Sequence, residues 1–242
     1  MSAGAFLPPA LQQAWEDLGV TVLQGYGATE TGTGSSTTLD DHGLGTVGYA
    51  PQGIDMRLAE DGEVQFRGPS LFKGYWNASE LTAAAFTEDG WYKTGDVGHL
   101  DAKGRLVLSG RKRDIIVLPN GFNVYPEDLE NALRVAGVRD SVALETRPGR
   151  IEAIVLGPGG GPAASADTPA PELTDEARAT IDSAVKAANQ ALGPNQRITG
   201  WRLWPGADFP RTHTLKIKRD KVRAWATDEA PLPVSEGAAA SG

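Results

Sequence analysis

Between Thr46 and Gly110 the chain is written in short alternating apolar runs, each closed by a glycine-bearing turn. Ile54, Met56 and Leu58 alternate ahead of Asp61-Gly62, Val64 and Phe66 follow it, and Leu106 and Leu108 follow Lys103-Gly104. A period of two puts every second side chain on one face of a strand, and a tight glycine turn reverses the chain. The stretch therefore predicts a meander of antiparallel strands.

The flanking segments keep a different period. Pro8 and Pro9 precede Leu11, Ala14, Trp15 and Leu18, an apolar stripe at helical spacing that Gly19 closes. Val20–Leu23 reads as a short buried strand. A helix, a strand and a glycine-rich turn in this order look like the last unit of an α/β layer, so the chain reads as starting in mid-domain. Downstream, Pro126 opens a helix through Leu129, Ala132 and Leu133, and Val142–Leu144 and Ile151–Val155 read as strands of a small α+β unit that begins near Lys112. Gly157–Pro171 is Gly, Pro, Ala and Ser, a loop inside that unit. Thr174 caps a helix carrying Ala177, Ile181, Ala184, Val185, Ala188 and Leu192, and Pro194 stops it. The expected organisation is residues 1–111 (an α/β remnant over 1–40 and the meander over 41–111), a second unit over 112–228 with its insert at 157–171, and a disordered tail over 229–242.

Composition narrows the function. A formal net charge of −8 gives no means of replacing counterions along a phosphate backbone, which argues against a nucleic-acid partner. There is no cysteine, hence no disulfide and no thiolate metal site, and His42, His99 and His213 lack ligand spacing. Neither a signal peptide nor an uncharged span long enough to cross a bilayer is present, so the cytoplasm is the expected location.

Four clusters carry chemistry. In Tyr26-Gly27-Ala28-Thr29-Glu30-Thr31-Gly32 the glycines allow close approach of backbone to ligand, Thr29 offers a hydroxyl to a phosphate, and Glu30 offers a carboxylate to Mg2+. Read alone it favours a turn after a strand, because short Gly/Thr runs are common in loops. In Tyr92-Lys93-Thr94-Gly95-Asp96-Val97-Gly98 an aspartate beside glycine suits both hydroxyls of a ribose, or else forms an Asx turn between strands. Gly110-Arg111-Lys112-Arg113-Asp114, followed by Asn120-Gly121-Phe122-Asn123-Val124-Tyr125-Pro126, offers Arg111 to phosphate or ribose, or a solvated basic run. Finally, Pro210-Arg211-Thr212-His213-Thr214-Leu215-Lys216 sets a lysine shortly before Arg219.

Taken in order, these clusters resemble the adenylate-forming superfamily of acyl-CoA synthetases, luciferases and peptide-synthetase adenylation domains. Tyr26–Glu30 is similar to its Y-G-x-T-E motif, Gly62-Glu63 to Gly68-Pro69 with Gly74-Tyr75 to its G-E-I-x-x-R-G-P…G-Y segment, and Tyr92–Asp96 to its Y-[RK]-T-G-D. Gly110-Arg111 with Asp114 is similar to the hinge, Gly121–Glu130 to the loop after it, and Pro210 to Arg219 to P-x-T-x-x-G-K-x-x-R, with Leu215 where the glycine stands. The resemblance implies an α+β fold: a distorted, barrel-like antiparallel subdomain, then a small mobile α+β domain, with the α/β remnant at the amino terminus. It further implies ATP or AMP, Mg2+ and coenzyme A as ligands and a fatty or aryl carboxylic acid as substrate. By position Thr29 meets the α-phosphate, Glu30 the metal, Tyr26 the adenine together with Gly27, Asp96 the ribose, and Arg111 ribose and phosphate. Arg113 is the pivot, Gly121 lines the thiol's path, and Lys216 serves adenylation.

Nothing resembles the family's Ser/Thr/Gly-rich phosphate loop ending in Pro-Lys, which lies upstream of such motifs. The expectation is a carboxy-terminal half that needs an amino-terminal core for full activity; the alternative is a non-catalytic AMP- or ATP-binding module.

Overall fold

The computed structural model describes residues 1–162, 173–213 and 215–228. They form two compact units, divided in the chain between Arg113 and Asp114. The fold is mixed α+β.

The first unit opens with β1 (Ser2–Ala3), α1 (Pro9–Asp17), β2 (Gln24–Tyr26) and β3 (Ser35–Ser36). β1 pairs parallel to β2, and β3 antiparallel to it. Proline in the first turn of α1 starts the helix without a side-chain cap, as its fixed φ allows. The helix then docks through an amide. Gln12 is its buried residue, and its Oε1 accepts from Gln24 Nε2 at 2.8 Å and from the Gly45 N–H at 3.2 Å. The stripe expected to be buried is open instead: Leu11, Trp15 and Leu18 are exposed, with Phe6 beside them in sequence. Val20–Leu23, expected as a strand, has no strand pairing and Val20 is exposed. The strand forms at Gln24–Tyr26 because backbone partners flank it on both sides there.

β4 (Asp55–Leu58), β5 (Glu63–Arg67), β6 (Tyr92–Leu100) and β7 (Leu106–Arg111) follow as an antiparallel sheet in chain order, with a short helix α2 (Ser79–Ala85) between β5 and β6. Val47, Val64, Phe66 and Leu106 form its core. One irregularity shapes the site. Glu63 pairs with Val97 and Gln65 with Lys93, so Thr94, Gly95 and Asp96 stand opposite Val64 alone. This three-against-one bulge puts Asp96 inside a nine-residue strand rather than in a turn between strands.

The second unit holds β8 (Ile116–Val117), β9 (Asn123–Val124), α3 (Pro126–Val135), β10 (Ser141–Arg147), β11 (Arg150–Val155), α4 (Asp175–Ala191), β12 (Gly200–Leu203) and α5 (Arg219–Asp228). β10 and β11 are antiparallel, and β12 adds parallel to β11. Alternation divides the strands between two cores. Ala143, Ile151, Ala153 and Val155 pack with Leu129 and Leu133 of α3 and Ile181, Ala184 and Ala188 of α4, whereas Val142, Leu144 and Ile154 pack with Phe209 and with Val222 and Ala226 of α5. The Thr174 hydroxyl caps α4 by accepting from the Ala177 N–H at 3.2 Å. The insert, from residue 163 to 171, and the tail from 229 to 242 lie outside the described residues. Among the described residues no helix is long and apolar enough to cross a membrane.

Candidate functional site

β2 delivers Tyr26 and then turns. The Ala28 N–H donates to Thr31 Oγ1 at 2.9 Å, and the Thr31 hydroxyl and N–H both return to the Ala28 carbonyl. This turn leaves Gly27 and Thr29 exposed, and the Thr29 hydroxyl has no protein partner among the described residues. Glu30 is held more firmly. Its carbonyl accepts from the Phe72 N–H at 2.8 Å and its Oε1 from the Tyr75 hydroxyl at 3.0 Å. Tyr75 packs edge-on against Phe72, which also contacts Phe86 and Tyr92.

Asp96 gathers the centre of the site. Its Oδ2 accepts from the Tyr26 hydroxyl at 2.5 Å, and its Oδ1 faces Arg111 Nε at 2.7 Å. Arg111 lies directly across the β6–β7 ladder from Asp96, so strand register brings the two side chains together. Burial first, and then the Asp96 charge, push the Tyr26 hydroxyl well above its ordinary pKa, so it stays a donor. The bulge backbone is satisfied by side chains. Thr94 Oγ1 donates to the Val64 carbonyl at 2.7 Å and accepts from the Asp96 N–H at 3.0 Å, and Glu63 Oε1 accepts from the Gly95 N–H at 3.0 Å. Gly95 has φ +70°, a conformation that a side chain would strain.

Among the described residues no group of three His, Cys, Asp or Glu side chains is placed to hold a metal. Glu30 alone nevertheless fits Mg2+, which takes one or two carboxylates and completes its shell with water and substrate phosphate oxygens. A site built that way needs no cage of protein ligands.

The second unit carries the other two candidates. Gly121 (φ +78°) closes the turn between β8 and β9, where its N–H donates to the Leu118 carbonyl at 2.8 Å and open space surrounds its Cα. Lys216 is exposed and makes no ion pair among the described residues. Its loop is tied at both ends. Arg211 binds Asp208 at 2.8 Å and Asp140 at 3.1 Å, and both Nη atoms of Arg219 reach Glu130 Oε1, at 2.6 and 2.7 Å. Leu215, just before the lysine, has φ +64°.

Tyr26, Asp96 and Arg111 thus converge on one carboxylate, with Thr29 and Glu30 on the loop after Tyr26, while Gly121 and Lys216 belong to the other unit. Glu63, Tyr75 and Glu130 stood in matched motifs, but sequence reasoning gave them no role.

Residues 1–76 match the profile of a family described as AMP-binding enzyme. The long-chain-fatty-acid–CoA ligase FadD15 of Mycobacterium tuberculosis is 36% identical over 238 residues, covering 92% of this chain and 39% of that protein. Among solved structures, ATP-bound MatB from Rhodopseudomonas palustris superposes with a TM-score of 0.74 at 25% identity, over 94% of this chain and 45% of that one. The anthranilate CoA ligase AuaEII, in complex with anthranoyl-AMP, shares the fold with a TM-score of 0.75 at 23% identity, over 93% and 44% of the two chains. The chain therefore spans about two fifths of the length of the curated relatives it matches first.

Proposed function

From a chain that belongs to the AMP-binding, acyl-adenylate-forming family, we propose the following reading: this is the part of an ATP-dependent acid–CoA ligase that holds the nucleotide and supplies the catalytic lysine. The observation that carries it is the convergence of Tyr26 and Arg111 on the Asp96 carboxylate, Tyr26 from 70 positions away in the chain and Arg111 from the paired strand.

A free carboxylate resists attack by a thiol because it is anionic and would have to expel oxide. In the proposed first step a carboxylate oxygen of the acid attacks the α-phosphorus of ATP and pyrophosphate leaves, giving acyl-AMP. In the second the thiol sulfur of coenzyme A attacks the acyl carbon and AMP leaves with the electron pair, while the thiol proton passes to solvent. Two anions must meet in the first step, so positive charge at the reacting oxygens dominates its stabilisation. Lys216 supplies that charge, and Thr29 donates its hydroxyl to the α-phosphate. Glu30, oriented by Tyr75, would hold the Mg2+ that neutralises phosphate oxygens. Asp96 accepts the ribose hydroxyls, Arg111 spans ribose and phosphate, and Tyr26 with Gly27 borders the adenine. For the thiol step the second unit turns at Arg113, withdrawing Lys216 and presenting the Gly121 turn, where a pantetheine arm passes close to backbone. The similarity to a fatty-acid–CoA ligase favours a fatty acid over an aryl acid as the substrate.

The open apolar stripe of α1 and the outer edge of β1 support a companion amino-terminal core. A parallel sheet is normally covered on both faces, and a helix with Leu11, Trp15 and Leu18 outward has an apolar face for such a neighbour. The proposed nucleotide contacts of the first unit are all on this chain, so AMP should bind it alone with a dissociation constant on the order of 1 mM. ATP–pyrophosphate exchange with a panel of carboxylates should require addition of the amino-terminal part of a relative. Calorimetry with Asp96→Ala tests the site directly. AMP binding unchanged by that substitution refutes it, and exchange by the chain alone refutes the need for a companion.

A further inference from the structure

Glu63 is nearly buried, with its side chain 7% exposed, at the start of β5 between Gly62 and Val64. A carboxylate in that position costs several kcal/mol unless it is paired and hydrogen-bonded. It has two partners. Oε1 accepts from the Gly95 N–H at 3.0 Å, and Oε2 faces the Lys112 ammonium at 3.3 Å. Both partners matter to the site. Gly95 is the middle residue of the bulge Thr94–Asp96, where the ladder offers its N–H no backbone acceptor opposite, and Lys112 immediately follows Arg111. Asp61 shares the Lys112 ammonium at 2.5 Å, so this lysine is bound by a pair of carboxylates two residues apart.

We infer that Glu63 is a positioning residue of the proposed nucleotide site: by fixing the Gly95 amide on one side and Lys112 on the other, it sets the attitude of Asp96 and Arg111 toward a bound ribose. The inference rests on the reading of Asp96 as the ribose acceptor. Tyr26 and Arg111 hold the Asp96 carboxylate, whereas the backbone of the bulge that carries it is held by side chains. Here Thr94 ties the Asp96 amide, Glu63 ties the Gly95 amide, and the two strands that carry Asp96 and Arg111 are braced from β5. A carboxylate is suited to this because one oxygen can serve a neutral amide while the other serves an ammonium. A glutamine could serve the amide and would lose the charge pair.

The test uses the whole chain, with AMP as the probe and amide hydrogen exchange as a readout that needs no ligand. Glu63→Ala should speed exchange at the Gly95 amide and weaken AMP binding, each by about tenfold, the loss expected for one charge-assisted hydrogen bond. Glu63→Gln fills the same volume and restores an acceptor, so both readouts should return to within about threefold of the parent. AMP affinity unchanged in Glu63→Ala, when Asp96→Ala abolishes it, overturns the inference and leaves the site standing. Affinity unchanged in Asp96→Ala overturns the site itself. If Glu63→Ala fails to fold, Glu63→Asp, whose carboxylate is one methylene too short to reach the Gly95 amide, takes its place with the same expected losses, and parent-like AMP affinity in it overturns the inference. A Gly95 amide that exchanges as in the parent, together with AMP affinity lost by more than about tenfold, shows that Glu63 does not act through that amide and overturns the inference.

Discussion

Glu130→Gln should remove a pH dependence that the fold builds into the second unit. Glu130 lies on the inner side of α3, where Oε1 takes both Arg219 Nη atoms and the Ala143 N–H at 2.8 Å. Burial pushes its carboxyl from 4.5 up to about 7, against the opposing pull of Arg219 and the Ala143 amide. A carboxyl with a raised folded pKa favours the native state fully below the unfolded value and loses that contribution as pH rises through the folded one. The window here runs from 4.5 to about 7. Across it the native state retains a proton that the unfolded chain has already released, and stability falls by roughly 3 kcal/mol on account of this group alone. A glutamine does not titrate, so the variant should gain on the parent as pH rises, by roughly that amount between about pH 4.5 and pH 7. Urea titration followed by hydrogen exchange at the β10 amides reports the second unit selectively. Parallel stability curves for parent and variant would refute the claim that burial outweighs the Arg219 pair.

Two further outcomes follow from the lysine loop. Leu215 is exposed and held at φ +64°, where an L side chain costs about 1 kcal/mol, so Leu215→Gly should leave the second unit as stable or up to ~1 kcal/mol more stable by thermal unfolding; a clear loss would show that the leucine side chain packs in a way its exposure does not suggest. With an amino-terminal part restored, Lys216→Ala should lower acyl-adenylate formation by at least ~10²-fold yet spare thioester formation from supplied acyl-AMP, and equal loss in both half-reactions would defeat the two-position mechanism.

The elements most legible in the sequence were those written by local pattern. β4, β5 and β7 follow from alternation and glycine turns, and α3 and α4 from period, proline and the Thr174 cap. The elements that escaped are set by distant partners. β12 exists because Gly200–Leu203 lies alongside Glu152–Val155, and β1 because Ser2 and Ala3 meet Gln24 and Gly25. The apolar run Val20–Leu23 misled for the same reason, since only at its end, where the Leu23 carbonyl accepts from the Ser2 N–H at 2.7 Å, does it meet the backbone of β1. The candidate site divides in the same way. Its clusters are contiguous and could be named from residue order, but the Tyr26–Asp96 bond spans 70 positions and the Asp96–Arg111 pair depends on register across a bulged ladder. Glu63 stood in a matched motif, but its role could not be read until the Gly95 N–H was seen to meet its carboxylate.

The same contrast bears on where the two units would turn. Lys112 is anchored to the first unit by Asp61 and Glu63, at 2.5 and 3.3 Å. Two residues later, buried Asp114 is anchored to the second by Arg219 and Arg223, at 3.6 and 3.7 Å. Each anchor opposes torsion within its own unit, since a turn at residue 112 or 114 would pull a charged group from a partner on the same unit. The charge pairs thus tie Lys112 to the first unit and Asp114 to the second, on either side of the residue proposed as the pivot.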